Sequence, residues 1–201
     1  MANVLIPLGR PAQPEEAAAP VLDRLCQRIS WPSDLMVPAG DHMVIAETSQ
    51  TQTPFLIKAG GIGSRINWLL SAVGRAYLAY CADKERDEVL RNLLKSERPE
   101  DRLAREPKRM ERILVETRQR GYGIRDPGFA GGFYGAQQDD GLAAIAVPLL
   151  GRRRVHGAIN ILWVRTAYTV EDFAGRHLAD LQDAAREIVG SMTSLTNRRS
   201  S

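Results

Sequence analysis

Three histidines, two cysteines, a glycine cluster, an acidic pair and an arginine triplet are the residues whose type and spacing raise the question of chemistry. His42, His156 and His177 make no ligand set at zinc spacing, so no metal site is expected. Gly60-Gly61-Ile62-Gly63 sits between an expected strand and an expected helix, which is the setting of a phosphate loop. It lacks the third glycine of GxGxxG, where Ile66 stands, and the GK[ST] of a P-loop, so it reads as a connection. There is no GxSxG, and neither Cys26 nor Cys81 lies in a Cys/His nucleophile pattern. Asp139-Asp140 lie in a glycine-rich stretch and read as solvated turn acids, and Arg152-Arg153-Arg154 reads as a charged hairpin tip. No catalytic residue and no cofactor is expected.

The informative polar residue is Asn160, which interrupts the apolar run Ala158–Val164. A polar side chain there needs a partner, and that partner is either the protein or a ligand. Ala143, Ala144, Ala146 and Gly157 thin the same region and leave room for a cavity. A packed core with Asn160 bonded internally fits these residues equally well.

The elements that must position Asn160 follow from periodicity. Val21, Leu22, Leu25 and Ile29 step at helical spacing through Glu15–Ile29, with Pro20 forcing a start or a kink. Leu35–Val37, His42–Thr48 and Phe55–Lys58 read as three strands of an antiparallel meander, the first two joined by Ala39-Gly40-Asp41. A helix with one apolar face is expected over Ile66–Cys81, followed by charged helices near Asp83–Ser96 and Pro107–Arg120, the latter closed by Gly121. Leu142–Leu150 and Val155–Val164 read as a hairpin. Thr169 and Asp172 form a near capping box for a long last helix carrying Leu178, Leu181, Ala185, Ile188 and Met192. Strands and helices are segregated, which predicts an α+β fold with an antiparallel sheet.

The expected organisation is a flexible arm over 1–14, one domain over 15–195 and a frayed tail over 196–201. Composition fits this: 201 residues with 44% hydrophobic and 25% charged suffice for a core without staples and exclude disordered and fibrous classes. A net charge of +3, with 27 basic and 24 acidic residues intermixed, is too small for a nucleic-acid footprint. Two separated cysteines suit a reducing cytoplasm, no apolar run is long enough to cross a bilayer, and the start lacks the pattern of a secretory signal.

Several blocks resemble the effector domain of the IclR family of transcription regulators. GSRINWLLSAVGRAYLAYC resembles that family's P-[ML]-H-A-[ST]-[AG]-x-G-[KR]-A-x-L-A loop and helix, and MERILVETRQRGYG resembles its L-x-x-[IV]-R-x-[RK]-G-Y segment. DGLAAIAVPLLGRRRVHGAINILWV resembles its G-x-x-[CS]-[IV]-A-x-P-[IV] strand, turn and A-[AI]-[IL]-[SN]-[IVL] strand. The blocks fall in the family's order and spacing across about residues 20–192. SWPSDLMV, LAREPKRM and the Tyr-rich helix are most similar to activators of phenylpropionate-type aromatic-acid catabolism.

The resemblance implies a GAF-like curved antiparallel sheet flanked by helices, with the long N- and C-terminal helices packed together. It implies binding of a small, often carboxylate-bearing effector, assembly into a homodimer or homotetramer, and control of DNA through quaternary change. DNA would be reached through a winged helix-turn-helix absent from this chain, which is then an excised or a stand-alone sensor. Matched positions imply a ligand site of Phe55 and Lys58 on the third strand, Ser71, Ala72 and Val73 where the helix begins, Leu142 and Ala144, then Asn160 and Leu162. Two departures are visible. Asn67-Trp68-Leu69 replaces the usual Pro-Met/Leu-His, so Trp68 is expected to reshape the pocket mouth. The usual acid after Gly-Tyr has no matched equivalent, which leaves Arg125 or Asp126 as substitutes ahead of extra residues up to Gly141. The other readings are a ligand-free interaction module and a GAF-fold enzyme.

Overall fold

The long strands of the sheet are nearly continuous buried apolar runs, and the helix laid across them begins at a serine cap with most of its residues buried. In the computed structural model, which describes residues 13–55, 57, 60–131 and 139–199, the order is α1 (Pro14–Ile29), β1 (Asp34–Ala39), β2 (His42–Thr48) and β3 (Arg65–Ile66). Then come α2 (Ala72–Tyr80), α3 (Asp83–Leu94), a 3-10 helix (Pro99–Arg105), α4 (Pro107–Arg120), β4 (Gly123–Ile124), β5 (Leu142–Leu150), β6 (Val155–Val164) and α5 (Val170–Arg199). The strands form one curved antiparallel sheet in the order β3-β2-β1-β6-β5-β4. The fold is α+β, as the segregation of elements predicts.

The sheet separates two cores. Leu35, Ile145, Val147, Ile159, Ile161 and Trp163 face α1 and α5. Met36, Ala144, Ala146, Ala158 and Leu162 face α2, with α4 behind it. Period-two alternation along each strand sorts the side chains in this way. The two long helices pack on each other, and Arg24–Glu187 and Arg28–Asp180 cross that contact at 2.5 and 2.8 Å.

Helix α1 continues through Pro20, neither starting nor stopping there. Proline inside a helix costs about 3 kcal/mol. Ala17, Ala18, Val21, Leu22 and Leu25 are all buried, and burying side chains of this kind at about 1.5–3 kcal/mol for each large one outweighs that cost. At its other end the sheet reaches α2 by close approach. A Cβ on Gly123 would lie 2.2 Å from the Ala72 carbonyl oxygen, so only glycine lets β4 lie against that helix.

Two expected elements differ. The helix expected over Ile66–Cys81 begins only at Ala72. Ile66 pairs with Met43 as part of β3. Asn67 Oδ1 then accepts the Leu69 and Leu70 amides, both at 2.8 Å, and Ser71 Oγ accepts the Gly74 amide at 3.0 Å. These two successive local caps keep residues 67–71 out of the helix. At the sheet edge β2 pairs with Arg65–Ile66, and of the stretch expected as a third strand the described residues Phe55 and Ile57 lie in no strand. Phe55 instead stacks on Trp31 at 4.3 Å between ring centroids, and Thr53 Oγ1 donates to the Ser30 carbonyl, so this stretch is tied to the end of α1. The α4 bounds and its closure by Gly121 at φ 84° agree with expectation, as do β2, β5 and β6.

Candidate functional site

The first turn of α2 lies over the α2-facing side of β5 and β6. Ala144 pairs with Leu162 and Ala146 with Asn160 across these strands. Ala144, Ala146 and Ala158 leave this side of the sheet low, and Asn160 is 3% exposed among them. Above it Ala72 and Val73 are buried in the same core, behind the Ser71 cap. Ala72, Val73, Ala144 and Leu162 share the core formed where α2 packs on the hairpin, Ser71 caps that helix, and strand alternation turns Asn160 to the same side.

The remaining residues of the expected set lie elsewhere. Lys58 falls outside the described residues. Phe55 is 42% exposed and stacked on Trp31, on the α1–α5 side. Leu142 pairs with Val164 at the far end of the hairpin and borders an outer groove with Arg165, Tyr168 and Thr169. Arg125 and Asp126 follow β4 with their charges already matched. Arg125 donates to Asp140 at 2.6 Å and to the Phe129 carbonyl at 2.8 Å. Asp126 accepts from Arg75 at 2.6 Å and from the Gly128 amide at 2.9 Å. Burial opposes ionisation of Asp126, but the Gly128 amide and Arg75 overcome it and hold the carboxyl below its usual range.

Trp68 lies inside the core. It is fully buried, its indole N–H donates to the Gly40 carbonyl at 3.2 Å, and it leans on Tyr77. Its bulk fills the space beneath the β1–β2 turn. Among the described residues no group of three His, Cys, Asp or Glu could hold a metal ion.

Sequence reasoning missed Asp34. Leu35 faces α1 and α5, so alternation places Asp34 with Met36 and Asn160 on the α2 side. Its amide donates to Asn160 Oδ1 at 2.8 Å. Its Oδ1 accepts from Thr48 Oγ1 at 2.6 Å and from Gln50 Nε2 at 3.2 Å, while Oδ2 has no partner. The visible signal was a charged residue entering the apolar run Leu35-Met36-Val37 in phase with its inward face.

Burial pushes the Asp34 carboxyl above its ordinary range, and hydrogen bonding by Thr48, Gln50 and Asn160 only partly offsets this. A carboxyl with a raised folded-state pKa favours the folded state below the unfolded value near 3.8, and that contribution is lost as pH rises through the folded value. Asp34→Asn is expected to remove this slope and to raise stability near neutral pH by about 1–2 kcal/mol. Urea melts of both proteins across the acid range measure it; an unchanged slope would show that Asp34 ionises as freely as in the unfolded chain.

Comparison with known proteins locates this architecture. The description "Bacterial transcriptional regulator IclR C-terminal" matches residues 14–189. The "Probable transcriptional regulator SauR" of Cupriavidus necator is 28% identical over 189 residues, spanning 93% of this chain and 68% of that regulator. The crystal structure of Thermotoga maritima IclR superposes with a TM-score of 0.69 at 20% identity, covering 90% of this chain and 69% of that one. A double mutant of the PobR inducer-binding domain from Acinetobacter, in complex with 3-hydroxybenzoic acid, gives 0.68 at 21% identity, covering 89% and 98%.

Proposed function

Because this chain belongs to the IclR family of bacterial transcriptional regulators, of which it is the C-terminal domain, we propose that it senses a small organic acid in the cytoplasm and passes its occupancy to DNA. The effector sits between the first turn of α2 and the β5–β6 hairpin, with Asn160 as its central polar contact and Leu162, Ala144, Ala72 and Val73 as walls. The Ser71–Val73 end of α2 favours a carboxylate, since a helix N-terminus attracts negative charge. Aromatic acids are the first class to test, which is also the class named for the PobR domain. Homodimer or homotetramer rearrangement carries the signal to a winged helix-turn-helix, by preference of the ligand for one arrangement.

The observation that carries this reading is Asn160, a buried amide on a floor of alanines beneath a helix start. Family membership is what supports regulation over catalysis. A second reading, a ligand-free interaction module, draws on the same residue, because Asn160 Oδ1 already accepts the Asp34 amide.

Thermal melting against benzoate, 3-hydroxybenzoate, phenylacetate, mandelate, propionate and lactate separates the two. At least one acid is expected to raise the melting temperature with micromolar affinity. Asn160→Leu, close in volume and unable to hydrogen bond, is expected to weaken that acid at least about tenfold, the loss of one buried polar contact. No shift by any acid, or an unchanged affinity in the variant, favours the interaction module.

A further inference from the structure

Helices α3 and α4 leave a trough between them, because α3 packs chiefly on the 3-10 helix and α4 on α2. The trough holds about 390 Å³, within the range of small-molecule sites. Its floor is apolar, made of Leu90 and Leu94 from α3, Ala104, and Met110 and Leu114 from α4. On each helix these residues step by four, so one stripe of α3 faces one stripe of α4. Met110 and Leu114 belong to the core, whereas Leu94 is 46% exposed. Leu90 and Leu94 therefore carry the apolar surface of the core outward along a helix that is otherwise densely charged.

The trough is polarised along its length. Arg86 and Arg118 line one end, and both reach the last turn of α2. Arg118 Nε donates to the Ala79 carbonyl at 2.6 Å, and Arg86 Nη1 lies 3.5 Å from the Leu78 carbonyl. Adjacent carbonyls thus hold two guanidinium groups side by side. They satisfy donors without supplying a full counter-charge. Arg86 is paired with Asp83, whose side chain is 88% exposed, a surface pairing that contributes little. Arg118 has no acidic partner among the described residues. Glu111 lines the trough about two turns before Arg118 and repels an anion there. An anion is drawn to the Arg86–Arg118 end.

We propose that the α3–α4 trough is a second ligand site and that it takes an unbranched fatty carboxylate, with its head between Arg86 and Arg118 and its chain along Leu90 and Leu94. The site does not depend on the effector site proposed above, which uses the opposite end of α2. The span from Arg86 to Leu94 is about 12 Å of helix, the reach of an extended chain of about ten carbons. A carboxylate accepts from both guanidinium groups at once. Each methylene taken out of water strengthens binding by about fourfold.

The test is isothermal titration of the full chain with decanoate, hexanoate, decanol and decyltrimethylammonium, each below its micellar range. Decanoate is expected to bind at least about tenfold tighter than hexanoate, through its added methylenes, and at least about tenfold tighter than the cation, through the sign of its head. Arg118→Gln is expected to weaken decanoate about tenfold and to leave decanol within about twofold. Leu94→Gln is expected to weaken decanoate about fivefold and to leave hexanoate within about twofold. Both positions are exposed on helices and glutamine is a good helix former, so both variants are expected to fold. No binding of decanoate, equal affinity for the cation, or a decanoate affinity that either variant leaves unchanged overturns the proposal. A decanoate affinity that falls in Asn160→Leu and holds in Arg118→Gln puts the acid in the effector site and overturns it too. So does an assembly state, measured by sedimentation, that falls in Leu94→Gln and ignores decanoate, since a second copy of the chain then fills the trough.

Discussion

Asp126→Ala is expected to destabilise the domain by about 3–5 kcal/mol, because it leaves the Arg75 guanidinium buried without its counter-ion. The Arg75 side chain is 7% exposed, and it ties three segments together. Its Nε donates to the Leu69 carbonyl at 2.7 Å and its Nη1 to the Ile124 carbonyl at 3.0 Å, so the start of α2 and the end of β4 both hang on it. The two carbonyls satisfy donors but do not neutralise charge. The effect carries a pH signature. Asp126 titrates below the ordinary carboxylate range, so its contribution is present above the unfolded value near 3.8 and is lost as pH falls through the lower folded value. The difference in unfolding free energy between parent and variant, followed by urea melts from neutral pH downward, should shrink toward acid. A difference that is small at pH 7, or flat with pH, would mean that the two carbonyls suffice for Arg75. Because the strut reaches Leu69, just ahead of the Ser71 cap, the same variant should also loosen the helix start proposed to receive the effector.

Trp163→Ala is expected to cost about 3–5 kcal/mol, the range for emptying a buried large aromatic site. Trp163 is fully buried, stacks on Phe173 at 3.8 Å between centroids, and donates its indole N–H to the Tyr168 carbonyl at 3.2 Å. Truncation therefore removes packing against α5 and strands a carbonyl in the turn that precedes it. Trp163 points away from α2, while its neighbour Leu162 points toward it. Equilibrium denaturation should show the loss, and acid binding by the protein that remains folded should keep its affinity. A loss below about 1 kcal/mol would mean that α5 collapses into the vacated space.

The two sides of β6 show how far the sequence could be read. The apolar run in Val155–Val164, returning after the Gly151–Arg154 turn, marked the strand, its partner and the anomaly at Asn160, and the family likeness placed that residue opposite a helix start. The direction of Asn160 was legible because strand geometry has a period of two residues. Its hydrogen-bond partner was not, because Asp34 lies 126 residues away and reaches it only through the pairing of β1 with β6. Phe55 was misplaced for a related reason. Four apolar-leaning residues resemble a strand, but Phe55 stacks on Trp31 and Arg65–Ile66 pairs with β2 at the sheet edge. Arg125 and Asp126 were read as ligand groups because the family likeness implies an acid after Gly-Tyr and these are the charged residues that follow it here. Their partners Asp140 and Arg75 come from other segments.

Local chemistry was enough to determine the helix of Pro107–Arg120 with its Gly121 closure, the cap at Thr169 and Asp172, the β5–β6 hairpin and the α+β class. Each depends on contacts within a few residues, where covalent spacing dictates geometry. Only the tertiary structure decided which charges are neutralised, where α2 begins and which carboxyl is buried on the strand beside Asn160. Those outcomes depend on the desolvation and pairing of side chains that the sheet order brings together, and no local pattern encodes that order.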